Sequence, residues 1–99
     1  MKSLNDLQKD LTLLVAELKF KAVGPVDGDF GKLSGIHFDS DRLGGFVYAW
    51  SSGRIEFQLV DYQAGEQIIP ITVVTVEYGD ISEVGDILVA EISKLKRVS

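Results

Sequence analysis

The chain has 99 residues, 45% of them hydrophobic and 25% charged, with no cysteine and a formal net charge of −5. That composition fits one globular domain that needs neither disulfide nor metal to hold its core, and the lack of cysteine removes zinc ribbons and thiol catalysis. Twelve acidic groups against three basic ones between residues 27 and 93 argue against nucleic acid as a direct partner, because binding a phosphate backbone needs a basic stripe.

The opening residues carry no continuous apolar run, so they do not read as a secretory signal. No window approaches the roughly 18 apolar residues of a membrane helix. The expectation is a soluble, cytoplasmic protein with no membrane partner. An acidic middle segment would steer a basic protein into contact, or simply keep the chain soluble.

Residues 3–20 read as a first helix. Leu4, Leu7, Leu11, Leu14, Val15 and Leu18 recur at steps of three and four, which places them on one side. Ser3 and Asp6 resemble a capping box, with Asp in place of the usual Glu. The helix should stop before Gly24-Pro25, since proline disfavours helical geometry in the residue ahead of it. Residues 21–29 read as a turn-rich link, and Phe30 to Asp39 as a first strand weakened by its glycines. Residues 39–45 then form an exposed loop.

The central stretch, Gly44 to Gly79, holds three further strands. Phe46, Tyr48 and Trp50 alternate with smaller residues, and Ile55, Phe57 and Leu59 alternate with polar ones. A two-residue Ser52-Gly53 turn would set Trp50 opposite Ile55, Tyr48 opposite Phe57 and Phe46 opposite Leu59. All six would then share a buried face. A three-residue loop would slip the pairing by one and put Tyr48 beside Glu56; burial favours the first register. Gln63-Ala64-Gly65 reads as a three-residue loop with glycine in the left-handed place, which pairs Leu59 with Ile69, Phe57 with Ile71 and Ile55 with Val73. The reverse face, with Val47, Ala49, Val60, Ile68, Val74 and Val76 around Glu56, would seat a helix or meet a partner. Pro70 cannot donate to a ladder, so its strand should be an edge or carry a bulge.

Residues 80–96 read as the second helix, with Asp80 and Glu83 as its capping pair. Ile81, Val84, Leu88, Ile92 and Leu95 form a narrow apolar stripe, widened by Ile87. Lys94, Lys96 and Arg97 suit the negative end of its dipole. Gly85 marks close packing against the sheet. The fold class expected is α+β, a single domain with a four-stranded antiparallel meander between N- and C-terminal helices, in the order α-β-β-β-β-α.

No motif performs recognisable chemistry. The single histidine, His37, has no cysteine or second histidine to share a metal and reads as a strand-surface residue. The segment from Gly28 to Gly35 fails as a phosphate loop, because two residues stand where four are needed and Leu33 follows Lys32. Asp27 with Asp29 and Asp39 with Asp41 are better explained as turn formers than as cation ligands. No catalytic residue, metal or cofactor is assigned. What remains is a surface: Asp39, Asp41, Glu56, Asp61 and Glu66 around Tyr62 are candidate partner-binding residues, with the aromatic ring as anchor and the carboxylates as steering charge.

In layout, length and acidity, with GGFVYAW, RIEFQLVDY and the DISEVGDIL helix as its parts, the chain resembles the small immunity proteins of polymorphic and contact-dependent bacterial toxins. That resemblance implies no enzymatic activity. It implies stoichiometric inhibition of a cognate toxin domain, often a basic nuclease, by a monomer or homodimer. Two other classes compete. One is an acidic secretion chaperone or regulatory adaptor that holds a peptide or protein on an edge strand or an apolar sheet face. The other is a small-molecule-binding α+β domain, which would need a pocket under the sheet.

Overall fold

The computed structural model describes residues 2–77 and 80–98; Tyr78 and Gly79, at the end of the central stretch, and the side chains of Lys96, Arg97 and Val98 lie outside it. Two helices and five strands follow in the order α1 (Leu4–Leu14), β1 (Lys19–Gly28), β2 (Gly31–Asp39), β3 (Leu43–Trp50), β4 (Arg54–Asp61), β5 (Glu66–Thr75) and α2 (Ser82–Val98). The fold is α+β, and the sheet is a five-stranded antiparallel meander in the order β1-β2-β3-β4-β5. Leu7 and Leu11 of α1, Val84, Leu88 and Ile92 of α2, and Phe38, Val47, Ile55, Phe57 and Leu59 of the sheet form one buried cluster. Both helices therefore cover the same face of the sheet.

The extra strand replaces the end of the expected first helix and the expected link. The Ser3–Asp6 capping box is present, with the Asp6 amide 3.2 Å from Ser3 Oγ and the Ser3 amide 3.0 Å from Asp6 Oδ2. At the other end α1 stops at Leu14 and extended backbone begins at Val15. Over Lys19-Phe20-Lys21-Ala22 the residues alternate polar and apolar, and that period of two prevails. Val15 and Leu18 remain buried although they lie outside the helix. Gly24-Pro25 sits inside β1, at a shift of register between Val23 and Val26. A proline is tolerated there because β1 is an edge strand.

The β3–β4 hairpin adopts the slipped register. Val47 pairs with Phe57, Tyr48 with Glu56 and Ala49 with Ile55. The Gly53 amide donates to the Trp50 carbonyl at 2.9 Å, and Gly53 has φ +99°, which closes a three-residue loop of Ser51, Ser52 and Gly53. A one-residue slip moves every side chain of a strand to the other face. Val47 and Ala49 thus lie under the helices, while Phe46, Tyr48 and Trp50 lie on the face the helices leave open.

The β4–β5 hairpin keeps Leu59 opposite Ile69, but irregularities on either side of Leu59 pair Phe57 with Thr72 and Ile55 with Val74. Val74 packs on the core in place of Val73, and Ile71 and Val73 are 58% and 45% exposed. Pro70 lies on the edge strand beside these irregularities, so both features expected of it are found.

In α2, Val84, Leu88 and Ile92 are buried at its stripe, Ile81 is buried just ahead of it, and Ile87 is exposed. The helix begins at Ser82, with Asp80 in the turn before it. Gly85 packs on α1 instead of the sheet: a Cβ there would lie 3.5 Å from Leu7 Cδ1.

Candidate functional site

Alternate residues of a strand share a face, and directly paired residues of neighbouring strands share it too. By that rule the open face carries Lys19 and Lys21 from β1, His37 and Asp39 from β2, Phe46, Tyr48 and Trp50 from β3, and Arg54, Glu56 and Gln58 from β4. Its centre is an aromatic stripe along β3. Phe46 stacks on Tyr48 with ring centroids 4.5 Å apart, and Tyr48 meets Trp50 edge-on at 6.3 Å. His37 joins from β2, its ring 5.3 Å from that of Tyr48 and its Nε2 2.6 Å from the Tyr48 hydroxyl. Burial, followed by the Glu56 charge, pushes the Tyr48 phenol above its ordinary value. The phenol and the imidazole thus share one hydrogen bond, whose donor is set by the imidazole tautomer.

The stripe ends in a cationic clamp. The Arg54 guanidinium lies 4.3 Å from the Phe30 ring centroid and 5.5 Å from that of Trp50. Its Nη2 reaches Glu56 at 3.8 Å, and its Nε is buried with no hydrogen-bond partner among the described residues. The rings supply the attraction that a missing acceptor would have given. Phe30, 47% exposed, meets Trp50 edge-on at 5.9 Å.

At the other end the sheet surface dips into a groove of about 620 Å³ lined by Lys19, Lys21, His37, Phe46, Gln58 and Tyr62. Tyr62 closes it by donating its hydroxyl to Asp39 Oδ1 at 2.6 Å. That bond, then burial, then the Asp39 charge, raises the Tyr62 phenol above its ordinary value. Gly44 lets the ring in, because a Cβ at Gly44 would overlap the Tyr62 hydroxyl.

The six candidate partner-binding residues do not form one cluster. Asp39 and Tyr62 are bonded at the rim of the groove. Glu56 lies on the same face, five positions along β4 from Asp61, about 16 Å at the rise of a strand. Asp61 points to the helix side and is 7% exposed. Its carboxylate accepts from the amides of Gln63 and Ala64 at 3.0 and 3.3 Å, so it holds its own turn together. Glu66 is exposed and pairs directly with Asp61 across the ladder. Asp41 is exposed in the β2–β3 loop, whose shape is set by Ser40 Oγ accepting from the amides of Arg42 and Leu43.

Lys19, Lys21, His37, Phe46, Tyr48, Trp50 and Arg54 were not among the expected site residues. Two signals pointed to them: the alternation that begins at Lys19, and a glycine in third place after Trp50, the pattern already recognised at Gly65. Among the described residues no group of three or more metal-ligating side chains comes together, and no helix is long and apolar enough to cross a membrane. Compared with protein-family models, curated proteins and solved structures, the chain matches none.

Proposed function

We propose that this chain is a binding module whose open sheet face docks on a protein partner, and that it acts as an immunity protein, inhibiting a cognate bacterial toxin domain by occupancy. One observation carries the reading: three aromatic side chains packed in series, Phe46 on Tyr48 and Tyr48 on Trp50, stand in a stripe on a sheet face that neither helix covers. Rigid aromatics bring large contact area at small entropic cost, and such residues dominate the energy of protein interfaces. Exposed Ile71 and Val73 on β5 extend the apolar surface beyond the stripe. The toxin-inhibiting form rests on the helix–meander–helix layout and the acidic net charge, which would draw a basic domain toward the protein.

The test is a binding titration against the toxin domain encoded beside this chain. A one-to-one complex is expected, with Tyr48→Ala and Trp50→Ala each weakening it by about 2 kcal/mol or more. Unchanged affinity in both variants would sink the assignment of the open face. The second reading, an adaptor that pairs an extended segment along a free edge, is favoured by the exposure of Ile71 and Val73 on β5. Pairing of that kind would make affinity sensitive to β5 and indifferent to Trp50.

A further inference from the structure

We propose that the groove at the β1 end of the open face is a carboxylate receptor. Its occupant is an acidic segment of the protein partner, a carboxylate with an apolar side chain next to it. The proposal rests on the reading of the open face as a docking surface and specifies what one end of it takes.

Lys19 and Lys21 stand two residues apart on the same face of β1, about 7 Å along the strand, and both line the groove. Both are exposed, and neither enters an ion pair among the described residues. Their cross-strand neighbours would be the natural partners. Lys19 lies directly opposite Asp39 and Lys21 directly opposite His37. Yet Asp39 Oδ1 accepts from the Tyr62 hydroxyl, His37 Nε2 is bonded to Tyr48, and among the described residues neither lysine forms an ion pair with Asp39. The groove therefore presents two uncommitted ammonium groups, while its one carboxylate already has a donor. Phe46, Val60 and Val23 supply an apolar wall beside them.

Charge selects a single carboxylate over a polyanion. The chain carries −5 overall, and Asp39 sits on the groove's own rim. A strand of phosphates would meet that repulsion along its length, whereas one carboxylate meets two lysines at close range. Lysines on an edge strand also guard against unwanted strand pairing. That role requires neither a groove nor an aromatic wall, and it predicts no ligand.

The experiment is a titration of the isotope-labelled protein, followed by amide NMR, with the blocked dipeptide N-acetyl-Phe-Glu-amide as probe. Its Phe-Lys counterpart and a short oligouridylate serve as comparison ligands. Saturable shifts are expected in residues 19–23 and at His37, Phe46 and Tyr62 with the acidic peptide, and weaker or no shifts with the other two. The double variant Lys19→Glu, Lys21→Glu should weaken the acidic probe on the order of tenfold or more. Equal binding of the basic peptide, tighter binding of oligouridylate, or no saturable shift in the unaltered protein each overturns the proposal. The map on the unaltered protein stands even if the double variant fails to fold. Failure here with retained sensitivity of the toxin complex to Tyr48 and Trp50 would remove the receptor alone; loss of that sensitivity would remove the docking face.

Discussion

Val47 lies directly opposite Phe57 in the β3–β4 ladder, and the two are 0% and 1% exposed. With that pair under the helices, β3 offers the core Leu43, Val47 and Ala49, and its three aromatic rings go to the other side. The core consequently takes its rings from β2 and β4, as Phe38 and Phe57, and the bulkiest ring of the chain, Trp50, adds little to it. Phe57→Ala should cost about 3–5 kcal/mol, the usual range for an emptied phenylalanine site in a core. Trp50→Ala removes a larger group from a half-buried position and should cost about half as much. Urea unfolding followed by far-UV circular dichroism compares the two. A Trp50→Ala cost exceeding that of Phe57→Ala would contradict the register.

The strands and helices were legible in the sequence where one period ran unopposed. The Leu4, Leu7, Leu11 row and the Ile81, Val84, Leu88, Ile92 row each continue for two turns or more, and both became helices. Where two signals competed, the reading failed. Val15 and Leu18 extend the leucine row of α1, and they are buried, but by a chain that has already left the helix. In the β3–β4 hairpin, burial of six large groups was set against turn chemistry, and turn chemistry prevailed. A sheet with one open face can leave aromatics outside, so the sum of buried apolar groups does not fix a register by itself. The carboxylate cluster failed for a related reason: sequence proximity put Asp61, Tyr62 and Glu66 together, but strand parity sends Asp61 and Tyr62 to opposite faces.

The two hairpin glycines should differ in how they tolerate a side chain. Gly65 has φ +67°, and a Cβ there would meet nothing within 4 Å. Only the intrinsic left-handed cost of about 1–2 kcal/mol applies to Gly65→Ala, and Gly65→Asn should be milder still. Gly53 has φ +99°, and a Cβ would overlap the Val76 carbonyl, whose own amide donates to the Gly53 carbonyl at 2.7 Å. Gly53→Ala should therefore exceed the Gly65→Ala cost by at least about 1 kcal/mol in thermal or urea unfolding. Equal costs would mean that the Val76 carbonyl does not lie against Gly53 in solution.

The Tyr62–Asp39 bond has a spectroscopic signature. A carboxylate that accepts the phenol's hydrogen bond favours the neutral phenol and raises its pKa. Asp39→Asn removes the charge and weakens the acceptor, so Tyr62 should titrate at lower pH in that variant. NMR of the assigned ring measures it directly. A Tyr62 titration identical in both proteins would show that the rim of the groove is open in solution.

Gly85 is an interior helix glycine with ordinary van der Waals room beside it, since the nearest atoms to a Cβ are Leu7 Cδ1 at 3.5 Å and Lys2 Cδ at 3.8 Å. Its replacement by alanine gains helix propensity without forcing the helices apart. Gly85→Ala should stabilise the protein by about 1 kcal/mol, visible as a raised melting temperature. A destabilised variant would show that α1 and α2 approach more closely than this contact allows.

Asp80 ties the start of the chain to the start of α2, and acid should loosen that tie. Its Oδ1 accepts from the Ser82 hydroxyl at 2.5 Å, from the Ser82 amide at 3.0 Å and from the Lys2 amide at 3.2 Å. The Ser82 side-chain bond, then the Ser82 and Lys2 backbone bonds, lower its pKa from 3.8 to about 2. A carboxyl with a lower pKa folded than unfolded binds fewer protons in the folded state. Its contribution is complete above the unfolded value and is lost as pH falls through the folded one. Asp6, also lowered by its bonds to Ser3, titrates in the same direction, so the native protein alone does not isolate Asp80. The difference in unfolding free energy between the native protein and Asp80→Asn does isolate it. That difference should be constant from pH 7 to 5 and shrink as pH falls from about 4 toward 2. A difference that stays constant to pH 2 would mean that the Asp80 carboxylate does not hold Lys2 and Ser82 in solution.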